Sequence, residues 1–438
     1  MSKMSEEIGD DELTVSIDKM LHNLSPKPEN PSIYRVNDLL RNENEHSYDP
    51  RIISIGPYHR GKQHLNKMER EKKRYLKLLL ASSNESSVDR YVKKIKGFED
   101  RARKCYSEPI ALGQDEFVQM LLLDGVFIVQ FLRKYEKFDD AIFKFEHVTR
   151  HVLHDLLLFE NQIPLFVLDE VFNLSRTNAQ EKFGELVWPL VLPSAVPALA
   201  SLQDLDSHHL LGLVHRLNCF TFSPDNNFHH VENINSASEL KEAGIRFDNC
   251  KDDGNISWLD IRFNKYKKIC VPTLDISDVT ESWFRNMIAY EYYLPCDHPK
   301  YVTDYTFFLH CLVHAPRDAQ LLRRYGIISN WLGGDEMVYH LINQLGTNVL
   351  TSEKFSYSDV FCHVNRHCKR RRYRWIAILR RDYFDSPWKL ISLVAGIVIL
   401  AVGIVQVVFA ILSYRKQRYE KAQVIFARKA SKAIGVVS

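Results

Sequence analysis

The feature that most constrains this chain is an uninterrupted apolar run near its C-terminal end. Residues 390–412 read LISLVAGIVILAVGIVQVVFAIL, 23 residues in which only Ser392 and Gln406 are polar and none is charged. A helix of that length measures about 34 Å, which is enough to cross a hydrocarbon layer of about 30 Å. The alternative is a buried helix of a large soluble core, but such helices seldom stay apolar on every face over this length. The run therefore predicts a single transmembrane helix.

The charges around this run do not decide its orientation. Eight Lys and Arg residues lie upstream within 369–389, and seven lie downstream within 413–432. The positive-inside rule therefore gives almost no preference. The first residues are acidic and lack the basic start and apolar stretch of a secretory signal. We expect a single-pass membrane protein with a cytosolic body and a translocated tail, at the plasma membrane rather than the endoplasmic reticulum.

Composition places the rest of the chain among globular proteins. Of 438 residues, 45% are apolar and 26% are charged, which excludes an intrinsically disordered chain and supplies a sizeable core. The net charge of +3 indicates no general affinity for polyanions, so no nucleic-acid partner is expected. The predicted organisation is an acidic, Pro-containing disordered N-terminus (1–31), a mainly helical body (32–388), the transmembrane helix (390–412) and a basic tail (413–438).

Apolar periodicity predicts that the body is mainly helical. Apolar side chains recur at helical spacing over 117–135 and over 305–313. A further helix is expected to begin at Pro316 and to stop at Gly326, and another is expected over 335–346. We therefore assign the chain to the mainly α class, as a helical globular body followed by one C-terminal transmembrane helix.

One region of the body changes its period from helix to strand. Apolar and polar residues alternate over 259–263, and Ile269 and Val271 begin a second run after a short connection. Pro272 restricts that second run to an edge or to the end of a ladder. We expect one small β-hairpin packed against helices.

Two sets of polar residues lie where the pattern predicts burial. Asp124 falls among the apolar positions of the 117–135 helix, where a carboxylate must be paired, hydrogen-bonded or protonated. It could be a catalytic acid in a pocket, but we favour a structural acid bound by backbone groups or by an arginine such as Arg285. The polar residues 160–162, which precede Pro164, are expected to satisfy buried backbone groups.

Three histidines form the other candidate site. His147, His151 and His154 lie at i, i+4 and i+7 and would share one helix face. Imidazoles at this spacing could bind zinc, but the HExxH pattern is absent and a solvated face also explains the spacing. We assign no catalytic, cofactor-binding or metal-binding residue. A membrane-tethered enzyme of unknown reaction class, using Asp124 or this histidine face, is the alternative to a non-enzymatic protein.

Short sequence blocks carry a resemblance to a known family. The most specific block is DLLLFENQIP at 155–164. The others are IYRV at 33–36, YDP at 48–50, ISIGPYH at 53–59, KME at 67–69, KRYL at 73–76, DGVFI at 124–128, WFRNMIAYE at 283–291, GII at 326–328, NWLG at 330–333 and LRRDYF at 379–384. Together they resemble the plant membrane-protein family known as domain of unknown function 247, from about residue 33 to the membrane helix.

The resemblance implies a plant protein with a helical body on a single C-terminal anchor. Some grass members of that family are implicated as pollen-side determinants of self-incompatibility, which implies recognition or signalling. The family brings no agreed catalytic residues, so none is transferred to this chain. We therefore expect a non-enzymatic recognition or signalling protein, with the self-incompatibility type as one subset. It would contact the lipid bilayer through 390–412, bind a protein partner and use no cofactor.

Overall fold

A computed structural model describes residues 12–22, 31–83, 86–135, 137–176, 178–191, 207–224, 232–250, 257–369 and 387–434. Contacts divide the chain into two units, Met1–Ser238 with Arg246–Asn365 and Glu239–Ile245 with Arg366–Ser438. The first unit contains the helical body. The second contains the long C-terminal helix.

Helices dominate the described residues. Those up to residue 368 are α1 (Glu12–His22), α2 (Asp38–Arg41), α3 (Asn66–Ser82), α4 (Asp89–Lys96), α5 (Glu99–Lys104), α6 (Gln114–Tyr135), α7 (Glu146–Asp155), α8 (Leu165–Ser175), α9 (Phe183–Leu186), α10 (Leu210–Cys219), α11 (Ala237–Glu242), α12 (Thr280–Tyr292), α13 (Tyr301–Leu312), α14 (Pro316–Arg324), α15 (Asp335–Gly346) and α16 (Ser358–Cys368). Helix α6 contains the predicted 117–135 helix, and α13 to α15 match the other helices predicted from periodicity.

The core of the N-terminal half forms around α6. This helix is buried on nearly all faces from Phe117 to Leu132, and it packs against α3, α4 and α8. Gly125 lets α8 approach, because a Cβ added at this position would lie only 3.1 Å from Val171 Cγ2. A helix surrounded in this way needs apolar residues on every side, which explains why its sequence is almost continuously apolar.

Short strands form two small sheets. In the first, β1 (Arg246–Asp248), β2 (Arg262–Phe263) and β3 (Lys268–Cys270) lie in the order β1-β3-β2. Strands β2 and β3 are antiparallel and form the predicted hairpin, although the strand begins at Arg262 rather than at 259. The second sheet pairs β4 (Leu274–Ile276) with β5 (Ile328–Asn330) in parallel. Strands of three residues are too short to show a period in sequence.

The terminal segments differ from the body. Helix α17 (Pro387–Ile434) has 48 residues, and its segment Val394–Ile425 is long and apolar enough to cross a membrane. None of its most apolar window is buried. The helix continues through the basic tail, so no helix end marks the predicted boundary at 412. At the other end, α1 lies within the 1–31 segment, for which the sequence predicts disorder. This part of the segment is helical because its apolar residues recur at helical spacing.

Candidate functional site

The block DLLLFENQIP connects α7 to α8 and holds a segment of chain that is neither helix nor strand. The carboxylate of Asp155 accepts hydrogen bonds from the backbone N–H groups of Arg51, Ile52 and Ile53, at 2.9, 2.8 and 3.0 Å. Asp155 has no exposed surface. A buried carboxylate is tolerated when several N–H groups point at it, so Asp155 supplies the backbone partners that the 51–53 segment lacks.

Asn161 and Gln162 continue the same arrangement. Asn161 accepts from the N–H of Ile55 at 2.6 Å and donates to the carbonyl of Ile53 at 3.1 Å. The Gln162 amide donates to the carbonyls of Leu156 and Leu158, at 2.9 and 2.8 Å. The sequence prediction that 160–162 satisfies buried backbone groups is therefore correct.

Glu160 forms the charged end of this network. Its carboxylate accepts from the N–H of Val36 at 2.7 Å and lies 2.9 Å from Arg41 and 3.3 Å from His59 Nε2. Burial opposes ionisation of this group. The hydrogen bonds from His59, Val36 and Arg41 outweigh burial and lower the pKa of Glu160 to about 2. Glu160 is therefore an ionised structural carboxylate, with one oxygen bound to the N–H of Val36 and the other beside Arg41 and His59.

Asp124 pairs with a lysine and not with the arginine suggested from sequence. Lys72 Nζ lies 2.6 Å from Asp124 Oδ1, and both side chains are fully buried. Oδ2 accepts from the N–H of Gly56 at 2.8 Å. Burial raises the pKa of Asp124, and Lys72 opposes that effect. Arg285 instead lies 2.8 Å from Glu281, because both are on α12 at i, i+4.

The three histidines lie on one side of α7, as their spacing predicts, but their surroundings differ. His147 is exposed, His151 is half-buried, and His154 is buried. Among the residues that the structure describes, no group of three or more His, Cys, Asp or Glu side chains could hold a metal ion. This side of α7 is solvent-exposed at His147 and becomes buried at His154, near the end of the helix.

His154 lies between an aspartate and a serine in space, as the histidine of a Ser-His-Asp hydrolase does. Its Nδ1 lies 2.9 Å from Asp155 Oδ1, and its Nε2 lies 2.9 Å from Ser282 Oγ. The hydroxyl of Ser282, however, donates to the carbonyl of Ser47 at 2.6 Å. A serine nucleophile must give its proton to the histidine. Here the Ser282 hydroxyl is directed to the carbonyl of Ser47, and the three residues tie α7 to α12.

A small cavity of about 200 Å³ lies beside this group. Helix α7, the turn Trp188–Leu190 and the first turns of α12 form its walls. Its lining residues are Arg150, Leu153, His154, Leu157, Leu158, Pro189, Leu190, Val279, Ser282, Trp283 and Asn286. Neither Ser282 nor Trp283 was a sequence candidate. The only sequence signal for them is their place in or beside the block WFRNMIAYE, which does not distinguish a cavity wall from a core.

Comparison with known proteins identifies relatives but no activity. The model of one family, described as a plant protein of unknown function, matches residues 33–402. A UPF0481 protein from Arabidopsis thaliana is 28% identical over 418 residues, which cover 87% of this chain and 86% of the relative. A putative UPF0481 protein from the same plant is 22% identical over 470 residues, covering 84% of this chain and 88% of the relative. No solved structure matches.

Proposed function

This chain belongs to the plant protein family of unknown function DUF247, and from that premise we propose that it is a membrane-anchored recognition protein that binds another protein without catalysing a reaction. The observation that carries the proposal is Trp331, whose side chain is 75% exposed on a loop fixed by hydrogen bonds. Three features support it: the C-terminal helix, the geometry of this loop and the structural use of the buried polar residues.

The C-terminal helix supports the anchor. The sixteen Leu, Ile, Val and Phe residues of 390–412 each favour insertion by about 0.3–0.6 kcal/mol, or about 5–10 kcal/mol together. The described side chains of this segment are exposed, Ile399 at 73% and Phe409 at 67% among them. Water is a poor solvent for such a surface, whereas lipid tails cover it without cost.

The loop that carries Trp331 is held in one conformation. The N–H of Trp331 donates to the carbonyl of Ile276 at 2.8 Å. Asn330 accepts from the N–H of Leu332 at 2.8 Å and donates to the carbonyls of Gly333 and Gly334, at 3.2 and 3.3 Å. The backbone therefore loses little further freedom on binding.

The exposed surface of this loop suits a protein partner. Trp331 is joined at the start of α15 by Met337, which is 51% exposed and lies next to Gly333. Tryptophan and methionine are enriched at protein interfaces, and tryptophan often dominates their binding energy. An indole presented on a rigid loop fits a partner that offers an apolar pocket.

The buried polar residues support a non-enzymatic role. Asp124 is held by Lys72, Glu160 is held by Arg41, and Asp155 is occupied by backbone N–H groups. Side chains whose polar atoms are bound within the protein in this way stabilise the fold and are not available to a substrate. The Ser282 hydroxyl is committed to a carbonyl in the same way.

Proximity labelling with the full, anchored chain in its native tissue tests the proposal. Trp331→Ala should remove the main labelled partner, because truncating a central tryptophan costs at least about 2 kcal/mol, or roughly thirtyfold in affinity. Tyr266→Ala is the matched control, since Tyr266 is 69% exposed on the hairpin turn. Recovery of the same partner from the Trp331→Ala variant, or of no reproducible partner from the wild type, would overturn the proposal.

The finer part of the proposal places the anchor in the plasma membrane and the protein in the recognition class that includes self-incompatibility. The family resemblance motivates the recognition class. A fluorescent fusion distinguishes the plasma membrane from the endoplasmic reticulum, and protease digestion of sealed vesicles reports which side carries the body. Expression confined to pollen is expected for the self-incompatibility type, whereas broad vegetative expression would contradict it.

A further inference from the structure

We propose that Cys250 and Cys270 form a redox modification site, a dithiol that a low-molecular-weight disulfide such as glutathione disulfide converts reversibly into an intramolecular disulfide. This site belongs to the small sheet of β1, β2 and β3, and the inference does not depend on the proposed function. Three observations carry it: the strand register, the partial exposure of both thiols and the hydrogen bond between them.

The strand register brings the two cysteines to the same end of the sheet. Cys270 is the last residue of β3 and is the direct partner of Asp248 on the parallel strand β1. The N–H of Val271 donates to the carbonyl of Asp248 at 3.0 Å, so the pairing continues just past Cys270. Cys250 follows Asp248 by two residues. Because neighbouring strands lie about 4.7–4.9 Å apart, the two cysteines occupy adjacent segments.

Both thiols lie where a small molecule can reach them. Side chains alternate between the two faces of a strand, and Phe247 and Ile269 are buried on the core face of this sheet. Cys270 is on the opposite face and is half-buried, as is Cys250, and both are free thiols. A partly exposed thiol can react with a small oxidant, whereas a core cysteine such as Cys311 is shielded.

A hydrogen bond joins the two thiols and gives them different roles. Burial, the charge of Cys270 and this hydrogen bond raise the pKa of Cys250 to about 12. Cys250 therefore keeps its proton at neutral pH and donates it to the Cys270 sulfur. Since the thiolate is the nucleophile of disulfide exchange, Cys270 is the attacking thiol and Cys250 is the resolving thiol.

The oxidation balances in two exchange steps. The Cys270 thiolate attacks one sulfur of glutathione disulfide, which forms a mixed disulfide and releases one glutathione thiolate. Cys270 then carries no charge that holds the proton on Cys250. The Cys250 thiol loses its proton and attacks the Cys270 sulfur, and the second glutathione thiolate leaves. The protein loses two electrons and two protons, which the two glutathiones gain, and excess reduced glutathione reverses both steps.

Peptide mapping in glutathione buffers tests the inference. The full chain in lipid nanodiscs is equilibrated at several ratios of reduced to oxidised glutathione, alkylated and digested with trypsin. Cleavage after Lys and Arg separates the two cysteines into peptides 247–251 and 269–285. In oxidising buffer these two peptides should appear joined, lighter than their sum by two hydrogen atoms. Excess reduced glutathione should remove the joined species.

Single variants test the two roles. Cys250→Ser should leave glutathione attached to Cys270, because no resolving thiol remains to displace it. Cys270→Ser should leave Cys250 largely unmodified, because its thiol stays protonated. Cys296→Ser is the control, since Cys296 is exposed and lies outside the sheet, and it should not change the yield of the joined peptides. Thermal unfolding confirms that each variant folds.

Three results would overturn the inference. The first is that the folded wild type gives no joined peptides at any glutathione ratio. The second is that Cys250 or Cys270 is joined to a different cysteine. The third is that glutathione collects on Cys250 in Cys270→Ser as much as on Cys270 in Cys250→Ser, which would contradict the assigned order of attack.

Discussion

Asp155 and Ile399 show how differently two regions of this molecule use their side chains. Asp155, in the helical body, is charged and has no exposed surface, whereas Ile399, in α17, is apolar and 73% exposed. Burying a carboxylate and exposing an isoleucine to water both cost free energy. In the body, three backbone N–H groups make the buried carboxylate tolerable. Among the residues that the structure describes, none of the most apolar window of α17 is buried.

The comparison teaches that the two regions are suited to different solvents. In the body, polar side chains replace backbone partners that a helix or sheet would otherwise supply, and the surface remains suited to water. In α17, backbone groups are satisfied within the helix and the side chains are suited to lipid. Variants that place a charge in the apolar part of α17, or that remove a partner of a buried charge in the body, should therefore be the most damaging.

The largest effect is expected from charges in the apolar part of α17. The double variant Val398→Arg with Val402→Arg should cost about 5–7 kcal/mol of insertion free energy, at about 2.5–3.5 kcal/mol for each arginine. This cost offsets most of the insertion energy of the segment. Alkaline carbonate extraction should release the variant from membranes. Leu39→Arg with Leu350→Arg, at two exposed positions of the body, is the control and should stay with the membrane.

The next largest effect is expected at the buried ion pair of the body. Asp124→Ala removes the fully buried one of the two carboxylates that pair with Lys72, leaving the part-exposed Glu69, and should destabilise the fold by about 3 kcal/mol. The double variant Lys72→Met with Asp124→Leu should recover most of that loss, because an apolar pair can replace a buried ion pair. Chemical unfolding of the three proteins measures both values. A double variant no more stable than Asp124→Ala would contradict this account.

Acid should weaken the body through Glu160. Its pKa falls from an ordinary value of 4.5 to about 2 on folding, so its contribution is fully present above pH 4.5 and is lost as the pH falls from 4.5 towards 2. The size of that contribution is on the order of 3 kcal/mol. Glu160→Gln should remove this part of the pH dependence, which the difference between the two unfolding curves isolates. Parallel curves over that range would show that Glu160 has no such role.

The smallest effect is expected where a charge pair lies in water. Arg150 and Glu146 form an exposed i, i+4 pair on α7, and its removal should cost only about 0.3–0.5 kcal/mol. Arg150→Gln should therefore shift the unfolding midpoint very little. If Arg150→Gln lowered the stability as much as Asp124→Ala does, burial would not explain the difference between the exposed and the buried ion pair.

The predictability of the fold depended on how far apart the contacting residues lie. Periodicity within one segment was sufficient for α6, for α13 to α15 and for the hairpin of β2 and β3, because a helix or hairpin repeats within a few residues. Strands β1, β4 and β5 gave no such signal. Each has three residues and exists because a distant strand pairs with it.

The candidate site was likewise predictable only where its residues lie close together in the sequence. The burial of Asp124 followed from its place among apolar residues, but its partner did not, because Lys72 lies on another helix. His154 belonged to a correct helical spacing, yet only the packing of α7 shows that it meets Ser282, 128 positions along the chain. The cavity left no pattern in the sequence, since three separate segments form its wall.

The sequence by itself determined the apolar C-terminal helix, the mainly helical body, the family and the need for partners at Asp124 and 160–162. These properties depend on residue type and on spacing within one segment. The tertiary structure decided which groups meet. Asp155 binds amides more than 100 positions away, and no local rule specifies such a distance, because long-range contacts depend on how whole helices pack.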